Sequence, residues 1–431
     1  MVFSTPVRVN PAVAWCLWIV GVAVFPIVAL LVPRDGNAVA IANFIPGSRG
    51  LEVWLGWAIG FALMFVGMLL LRTASVRTVF LAQAIAGVVC AVSTTAVPST
   101  DAYGYFVYGR WQVNGANPWH PPSIAASEPN AKVARAIMHD PPIRSPYGPT
   151  FVAFESLLVR IVRDSQFSTW VWIHRALALA AACAITALIR GPRIALWGLN
   201  PLVLMSFAIA GHNDAFMLLL VSLAMRVRLP LASGILLGLA ASVKLPALAS
   251  PYFAKRSLVL LIGAAIGVAV PYALFPHALS FQSFVTQAQH NANSPVSALE
   301  HVLRDRHVRY ASIASFAIVG AFVALVLLRT KRTLSRRNAA AAGCLILFAF
   351  TPGVHSWYFT WPLLSAAWAS GKTRTLVVVA SGLAWALDAG TVMTRQIHAS
   401  TLVFWIPIFV LSLALFGSIR PNGRLQVEPS L

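Results

Sequence analysis

The sequence predicts an all-α fold, a polytopic transmembrane helical bundle, and three observations predict it. Of 431 residues 58% are hydrophobic, only 10% are charged, and the mean hydropathy is +0.76. The apolar residues gather into long uninterrupted runs, and the basic residues stand at the ends of those runs. A net charge of +20 would suit nucleic acid if Lys and Arg shared one folded face; punctuating apolar runs, they mark membrane topology instead, and no nucleic-acid partner is expected.

The runs fall at about 12–32, 51–71, 78–97, 170–189, 194–211, 214–225, 229–243, 245–254, 257–275, 310–328, 338–353, 357–370, 375–391 and 400–418, about 13 to 14 membrane helices, several shorter than a full span. The first is too long for a signal-peptide core and many more follow it, so it reads as a retained span with no cleaved leader. Two spans over 1–77 precede a core at 78–260 with an outer loop at 98–169; the spans of 261–431 carry a second outer loop at 276–309, and the whole reads as one integral domain. Cys16, Cys90, Cys183 and Cys344 all lie in apolar runs without metal-ligand spacing, which points to packing rather than disulfides or zinc.

Orientation follows from charge. With the amino terminus in the cytoplasm, Arg8, Arg72, Arg77, Arg190, Arg193, Arg226, Arg228, Lys255, Arg256, Arg329, Lys331, Arg332, Arg336, Arg337, Lys372, Arg374, Arg420 and Arg424 all fall inside. Asp35, Asp101, Glu128, Asp140, Glu155, Asp164, Asp214, Glu300 and Asp305 fall outside, so both termini are cytoplasmic and the chemically varied face is extracytoplasmic, in the cell (inner) membrane. A single helix over Leu229 to Ala254 would send Lys255, Arg256 and every later basic cluster outward. A break near Lys244 and Pro246 keeps them inside, because proline removes a backbone donor.

Between Pro98 and Pro149 the apolar chain gives way to a polar, aromatic, proline-rich island, the best candidate for the working surface. Behind it, Tyr147 to Val162 has helical apolar spacing but carries Glu155, Arg160 and Arg163, which predicts an interfacial amphipathic helix lying flat on the outer surface. The second loop, with Gln282, Gln287, Gln289, His290, Asn291, Asn293 and Ser294, suits hydrogen bonding to a sugar or plain solvation.

Four positions offer chemistry. Asp101, just beyond the third run and followed by Tyr103, Tyr105 and Arg110, suits a general base or a helix N-cap. His212 and Asp214, in the GlyHisAsnAsp turn between two runs, share the outer face with it, or form a polar turn only. Lys244 places an ammonium in the outer half of the membrane, a functional signal unless the side chain snorkels. His355, Trp357 and Tyr358 open another run on that face, where an aromatic belt explains the rings but not the imidazole.

The ordered set of Asp101 with Tyr103 and Tyr105, Asn117 and Pro118, Tyr147 to Pro149, Arg175, Asn200 and Pro201, Gly211 to Asp214, Lys244, and His355 with Trp357 and Tyr358 resembles the GT-C superfamily of membrane glycosyltransferases. Within it, the set resembles the bacterial polyprenyl-phosphate-mannose-dependent mannosyltransferases, with Trp119 where that group is expected to carry Tyr. The resemblance implies transfer of a sugar, mannose foremost, from a polyprenyl-phosphate sugar to a glycan or lipid acceptor, with membrane lipids as surroundings.

The leaving group in such a reaction is a phosphate, which needs charge stabilisation rather than protonation, so one base and some cations suffice. Asp101 is then the base of an inverting displacement, and Lys244 binds the lipid phosphate with Arg110, Arg144 or Arg175 as second cation and His355 hydrogen-bonding the same group. His212 and Asp214 orient hydroxyls, while Tyr103, Trp119, Tyr147, Trp357 and Tyr358 stack on sugar faces. No cofactor and no obligatory metal are expected, although Asp101 and Asp214 together offer two carboxylates to one. A lipid-linked-glycan polymerase or ligase ranks second, and a transporter or flippase third, since neither an inverted repeat nor carboxylates deep in the runs stand out, Asp388 aside.

Overall fold

The computed structural model of the chain describes residues 10–30, 40–41, 48–71, 74–94, 96–97, 101–121, 123, 144–163, 166–189, 193–245, 247, 257–279, 295, 338, 341, 343–345, 348, 353–367, 371–385, 387 and 404–412. They belong to two compact units, Met1–Gln287 and Ala288–Leu431. The run at 310–328, Asp388 and nearly all of the second outer loop lie outside the described residues.

In the first unit α1 (Pro11–Ala29) begins where Asn10 accepts a hydrogen bond from the Ala12 N–H and Pro11 supplies a ready-made first turn. Antiparallel to it runs α2 (Ser48–Leu70), with Gly67 beside Ala14 and Trp18, and Gly56 beside Val28. Ser75 caps α3 (Val76–Ser93) by accepting from the Thr78 N–H. Two-residue strands β1 (Ala40–Ile41) and β2 (Ala96–Val97) pair in parallel, Ala40 with Ala96 and Ile41 with Val97.

The polar island holds α4 (Asp101–Val113), and α5 (Pro149–Val162) follows the Tyr147 to Pro149 elbow. The next helix, α6 (Phe167–Leu188), is antiparallel to α3: Gly87 meets Leu179, and the buried Gln83 and Thr186 hydrogen-bond to each other. The apolar run at 194–211 is not one straight helix. Short turns at Ala195–Gly198 and Pro201–Val203 are separated by Asn200, whose side chain accepts from the Leu202 N–H, and a π-helical segment, Leu204–Ile209, completes the stretch. Its axis then turns by 118° into α7 (Asp214–Ala224).

Pro11–Ala29, Val76–Ser93 and Ser168–Leu188 are each long and apolar enough to cross a membrane, and the bent pair adds a fourth span if it counts as one. Among the described residues these, with shorter apolar helices, make an all-α membrane bundle. The four cysteines are free thiols.

Two of the shorter helices decide the topology near Lys244. Gly234 of α8 (Pro230–Val243) lies against Leu260 and Gly263 of α9 (Leu258–Leu274), and Gly238 lies against Ala264 and Gly267. Both sets of numbers rise together, so the helices are parallel, and α8 stops at Val243 with Lys244 extended. Arg226 and Arg228 before α8 therefore share a side with Ser257 before α9, as a break near Lys244 requires, and a single helix over 229–254 is ruled out. In lipid such a pair gains little from apolar burial, because Leu258, Ile262 and Val270 face outward in any case; backbone approach through small residues holds it.

In the second unit a 3₁₀ turn, Ser356–Phe359, leads into α10 (Thr360–Ala366), followed by α11 (Gly371–Leu383). Thr360 donates its hydroxyl to the Trp357 carbonyl at 2.7 Å, and Phe359 packs edge-on against Phe404, with centroids 4.8 Å apart.

A Cβ at Gly238 would lie 2.2 Å from the Ala264 carbonyl oxygen, so Gly238→Ala must push α8 and α9 apart. The expected cost is about 1–3 kcal/mol, against less than about 0.5 kcal/mol for Val259→Ala on the exposed face, read by thermal unfolding in detergent micelles.

Candidate active site

The site is built around the turn between the π-helical segment and α7. Gly211 adopts φ 71, and a Cβ there would sit 3.0 Å from the Cβ of His174, so a side chain is both strained and obstructed. The His212 N–H donates to the Ser206 carbonyl at 3.0 Å and the Asn213 N–H to the Tyr105 hydroxyl at 3.2 Å. Arg175, fully buried, donates from Nε to the Ile209 carbonyl at 2.6 Å and from Nη1 to the Ala91 and Thr94 carbonyls at 3.0 and 2.8 Å. These carbonyls sit at helix ends, where backbone acceptors lack intrahelical donors, so one guanidinium staples the end of α3 to the bend.

Asp101 opens α4, and Tyr105 and Gly109 follow on the same face at helical spacing. The Asp101 carboxylate accepts a hydrogen bond from the Tyr147 hydroxyl at 3.4 Å, and His212 Nδ1 lies 3.3 Å from the same oxygen. Tyr147 is delivered by the elbow: the Gly148 N–H donates to the Val243 carbonyl at 3.1 Å, and a Cβ on Gly148 would collide with the Ser242 carbonyl oxygen at 2.1 Å. This contact sets the Tyr147 ring beside the next residue of that chain, and the Lys244 ammonium stands 5.8 Å from its centroid. The ammonium donates to both oxygens of Asp214 at 3.0 Å, the Asp214 side chain being fully buried and that of Lys244 10% exposed.

Asp101, Tyr105, Tyr147, His212, Asp214 and Lys244 are thus brought together at one set of helix ends. Asn117 and Trp119 support this cluster from behind. The Asn117 side chain accepts from the Trp119 N–H at 2.9 Å, Trp119 Nε1 donates to the Tyr147 carbonyl at 2.9 Å, and the Ser145 N–H next to half-buried Arg144 donates to the Pro118 carbonyl at 2.9 Å. Arg110 lies further along α4, its guanidinium 6.0 Å from the Phe106 centroid. Tyr103 is buried within electrostatic reach of Arg175. In the second unit, His355 stacks on Trp357 at 4.3 Å and meets Tyr358 edge-on at 5.6 Å, while Tyr358 stacks on Trp361 at 4.9 Å.

A helix forms where the apolar spacing over Tyr147 to Val162 predicts one, with Arg160 and Arg163 exposed, but Glu155 does not share their surroundings. Glu155 does not lie on a polar face of α5; it is buried with Phe151 and Val152, its Oε2 3.0 Å from Nε2 of His174, while apolar Leu157 and Ile161 are exposed. Glu155, His174, Tyr108 and Asn213 join the site although the sequence pattern assigns them no role in it. A carboxylate on the apolar stripe of a helix, and a tyrosine seven residues beyond Asp101, were the available signals. Tyr108 reaches the site through its ring, 6.1 Å from that of Tyr147. Among the described residues no group of three His, Cys, Asp or Glu side chains is placed to hold a metal ion.

Burial sets the protonation of the phenols. It pushes Tyr103 up to about 12, against the lowering influence of Arg175. Burial, then the Asp101 charge, holds Tyr105, Tyr108 and Tyr147 well above the usual phenol range, with Asp214 adding to the effect at Tyr105. All four remain neutral hydrogen-bonding rings at working pH.

An all-α membrane fold in which, of the three described carboxylates around the bend, Asp101 is the partly exposed one, beside a paired ammonium and neutral aromatic rings, fits a membrane glycosyltransferase. Residues 19–259 match the MptA_B family, described as alpha-(1->6)-mannopyranosyltransferase, N-terminal domain. The chain belongs to that family and is a mannosyltransferase. The matched stretch lies within the first unit and contains the whole cluster from Asp101 to Lys244. No curated protein and no solved structure matches the chain.

An unfolded phenol titrates near pH ~10, and the folded ones titrate higher, so the stability they contribute is complete below pH ~10 and is lost as pH rises toward the folded values. The melting temperature in detergent is expected to be flat between pH ~7 and ~9 and to fall above ~10, with Tyr108→Phe shallower than wild type over the alkaline range.

Proposed function

We propose that the chain moves mannose from a polyprenyl-phosphate-mannose donor to a hydroxyl of a glycan or lipid acceptor on the extracytoplasmic face of the cell membrane, with Asp101 as general base. One observation carries the assignment. Of the three carboxylates around the bend, Asp214 and Glu155 are fully buried and engaged by Lys244 and His174, whereas the Asp101 side chain is 28% exposed. A base must touch the proton that it removes, and Asp101 is the one of the three within reach of an incoming hydroxyl.

The acceptor oxygen forms its bond to the anomeric carbon as the bond from that carbon to the phosphate oxygen breaks, and the hydroxyl proton passes to Asp101. The departing polyprenyl phosphate keeps the electron pair. Lys244, held in place by Asp214, is the cation that compensates its charge, with Arg110 and Arg144 on the same island as further candidates. His212, 3.3 Å from the base, holds Asp101 in orientation, and the buried rings of Tyr105 and Tyr147, edge-on to each other at 5.2 Å, wall the site beside it. Arg175 serves by stapling the bend. A single displacement inverts the anomeric centre, so an α-linked product, as the family's description has it, calls for a β-linked mannosyl phosphate.

Purified protein given radiolabelled polyprenyl-phosphate-mannose and membrane lipid extract should transfer label with or without EDTA. Asp101→Asn should reduce transfer by roughly 10²- to 10⁴-fold. Equal transfer by both proteins contradicts the role given to Asp101, and loss of wild-type transfer on EDTA addition contradicts the metal-independent step.

A further inference from the structure

The transfer step makes no use of the Glu155–His174 pair, although both side chains are fully buried, 3.0 Å apart. Such a pair adds little net stability, because desolvation offsets most of the attraction. Its contacts supply another reason for it. Gly109 on α4 touches Glu155 through the backbone, where a Cβ would lie 2.8 Å from the Glu155 Cβ. The His174 ring meets the Tyr105 ring edge-on, with centroids 4.9 Å apart, and the His174 Cβ is 3.0 Å from where a Cβ on Gly211 would stand. Tyr105 in turn accepts the Asn213 N–H. The imidazole therefore braces α4 at Tyr105, four residues beyond Asp101 and on the face that carries it, while His174 also backs the bend that carries His212; Glu155, seated on Gly109 through its backbone and Cβ, holds that imidazole in place.

We propose that Glu155 and His174 are positioning residues for the transfer step. They touch no reacting atom; they fix α4 against the Gly211 to Asp214 bend and so set where the Asp101 carboxylate stands relative to His212 and to the sugar. This rests on the reading of Asp101 as base. The pair acts through geometry, so its loss misplaces the base without removing any group that binds donor, and the effect falls on kcat rather than KM.

The test is steady-state transfer from radiolabelled polyprenyl-phosphate-mannose to membrane lipid extract by Glu155→Ala, His174→Ala and Glu155→Gln, with melting temperatures measured alongside. Each alanine variant should lower kcat roughly 10- to 100-fold with the donor KM within about threefold, and Glu155→Gln, which keeps a hydrogen-bonding partner for His174, should recover most of the loss. An alanine variant that folds and keeps kcat within about twofold, or a kcat that falls only in step with the folded fraction, overturns the proposal. Should the alanine variants not fold, His174→Gln is compared in the wild-type and Tyr105→Phe backgrounds. Losses smaller together than multiplied support action through Tyr105, and fully multiplicative losses overturn it. Asp101→Asn in the same assay separates the two readings, since its retained activity overturns the base while leaving the kcat comparison of the pair intact.

Discussion

The structure depends on a sharp bend held open inside a membrane bundle. Between Ile209 and Asp214 the chain leaves a π-helical segment, passes through the left-handed Gly211 and starts a new helix after a 118° change of direction. Backbone groups freed by such a bend are costly in an apolar interior unless they find partners. Arg175 takes the Ile209 carbonyl, Tyr105 takes the Asn213 N–H and Ser206 takes the His212 N–H. Each partner comes from a different stretch of chain, so the bend depends on α4, α6 and the π-helical segment together. The residues it displays, His212 and Asp214, inherit that rigidity.

Charge is managed by pairing around this bend. Lys244 is clasped by both oxygens of Asp214, and Glu155 by His174, so the deep carboxylates are engaged where an isolated ion would be expensive. Asp101 differs in exposure: a phenol and an imidazole stand beside it, and its side chain is 28% exposed. The surrounding phenols stay neutral and add no charge beside Asp101. Of the three described carboxylates around the bend, stapling, pairing and exposure leave Asp101 both positioned and accessible.

Much of this was legible in the sequence, for identifiable reasons. Apolar runs and their basic punctuation indicate a helical membrane bundle because lipid demands both. The break at Lys244 could be argued from parity, since one helix over 229–254 reverses every later basic cluster, and the parallel packing of α8 and α9 agrees. Asp101, His212, Asp214 and Lys244 stand out as polar residues at run ends, where charge is hard to explain by packing, and Tyr105 and Tyr147 as aromatics of the polar island. Partnership was not legible. Nothing in the spacing of Arg175 tells that its donors close carbonyls on α3 and on the bend, and Glu155 on a helix with apolar periodicity looks like the edge of a polar face until His174, from another helix, is seen against it. Those contacts span 19 to 84 residues of chain and depend on tertiary packing that local pattern does not encode.

The central claim is that donor phosphate and base meet at this one bend, and a structure of the purified protein with bound polyprenyl monophosphate, by electron cryomicroscopy in nanodiscs, tests it most directly. The account predicts phosphate oxygens within about 3 Å of the Lys244 ammonium, with the Asp101 carboxylate facing the same cavity and Asp214 still in contact with Lys244. Phosphate density bound away from Lys244, with Asp101 turned from it, would contradict the account.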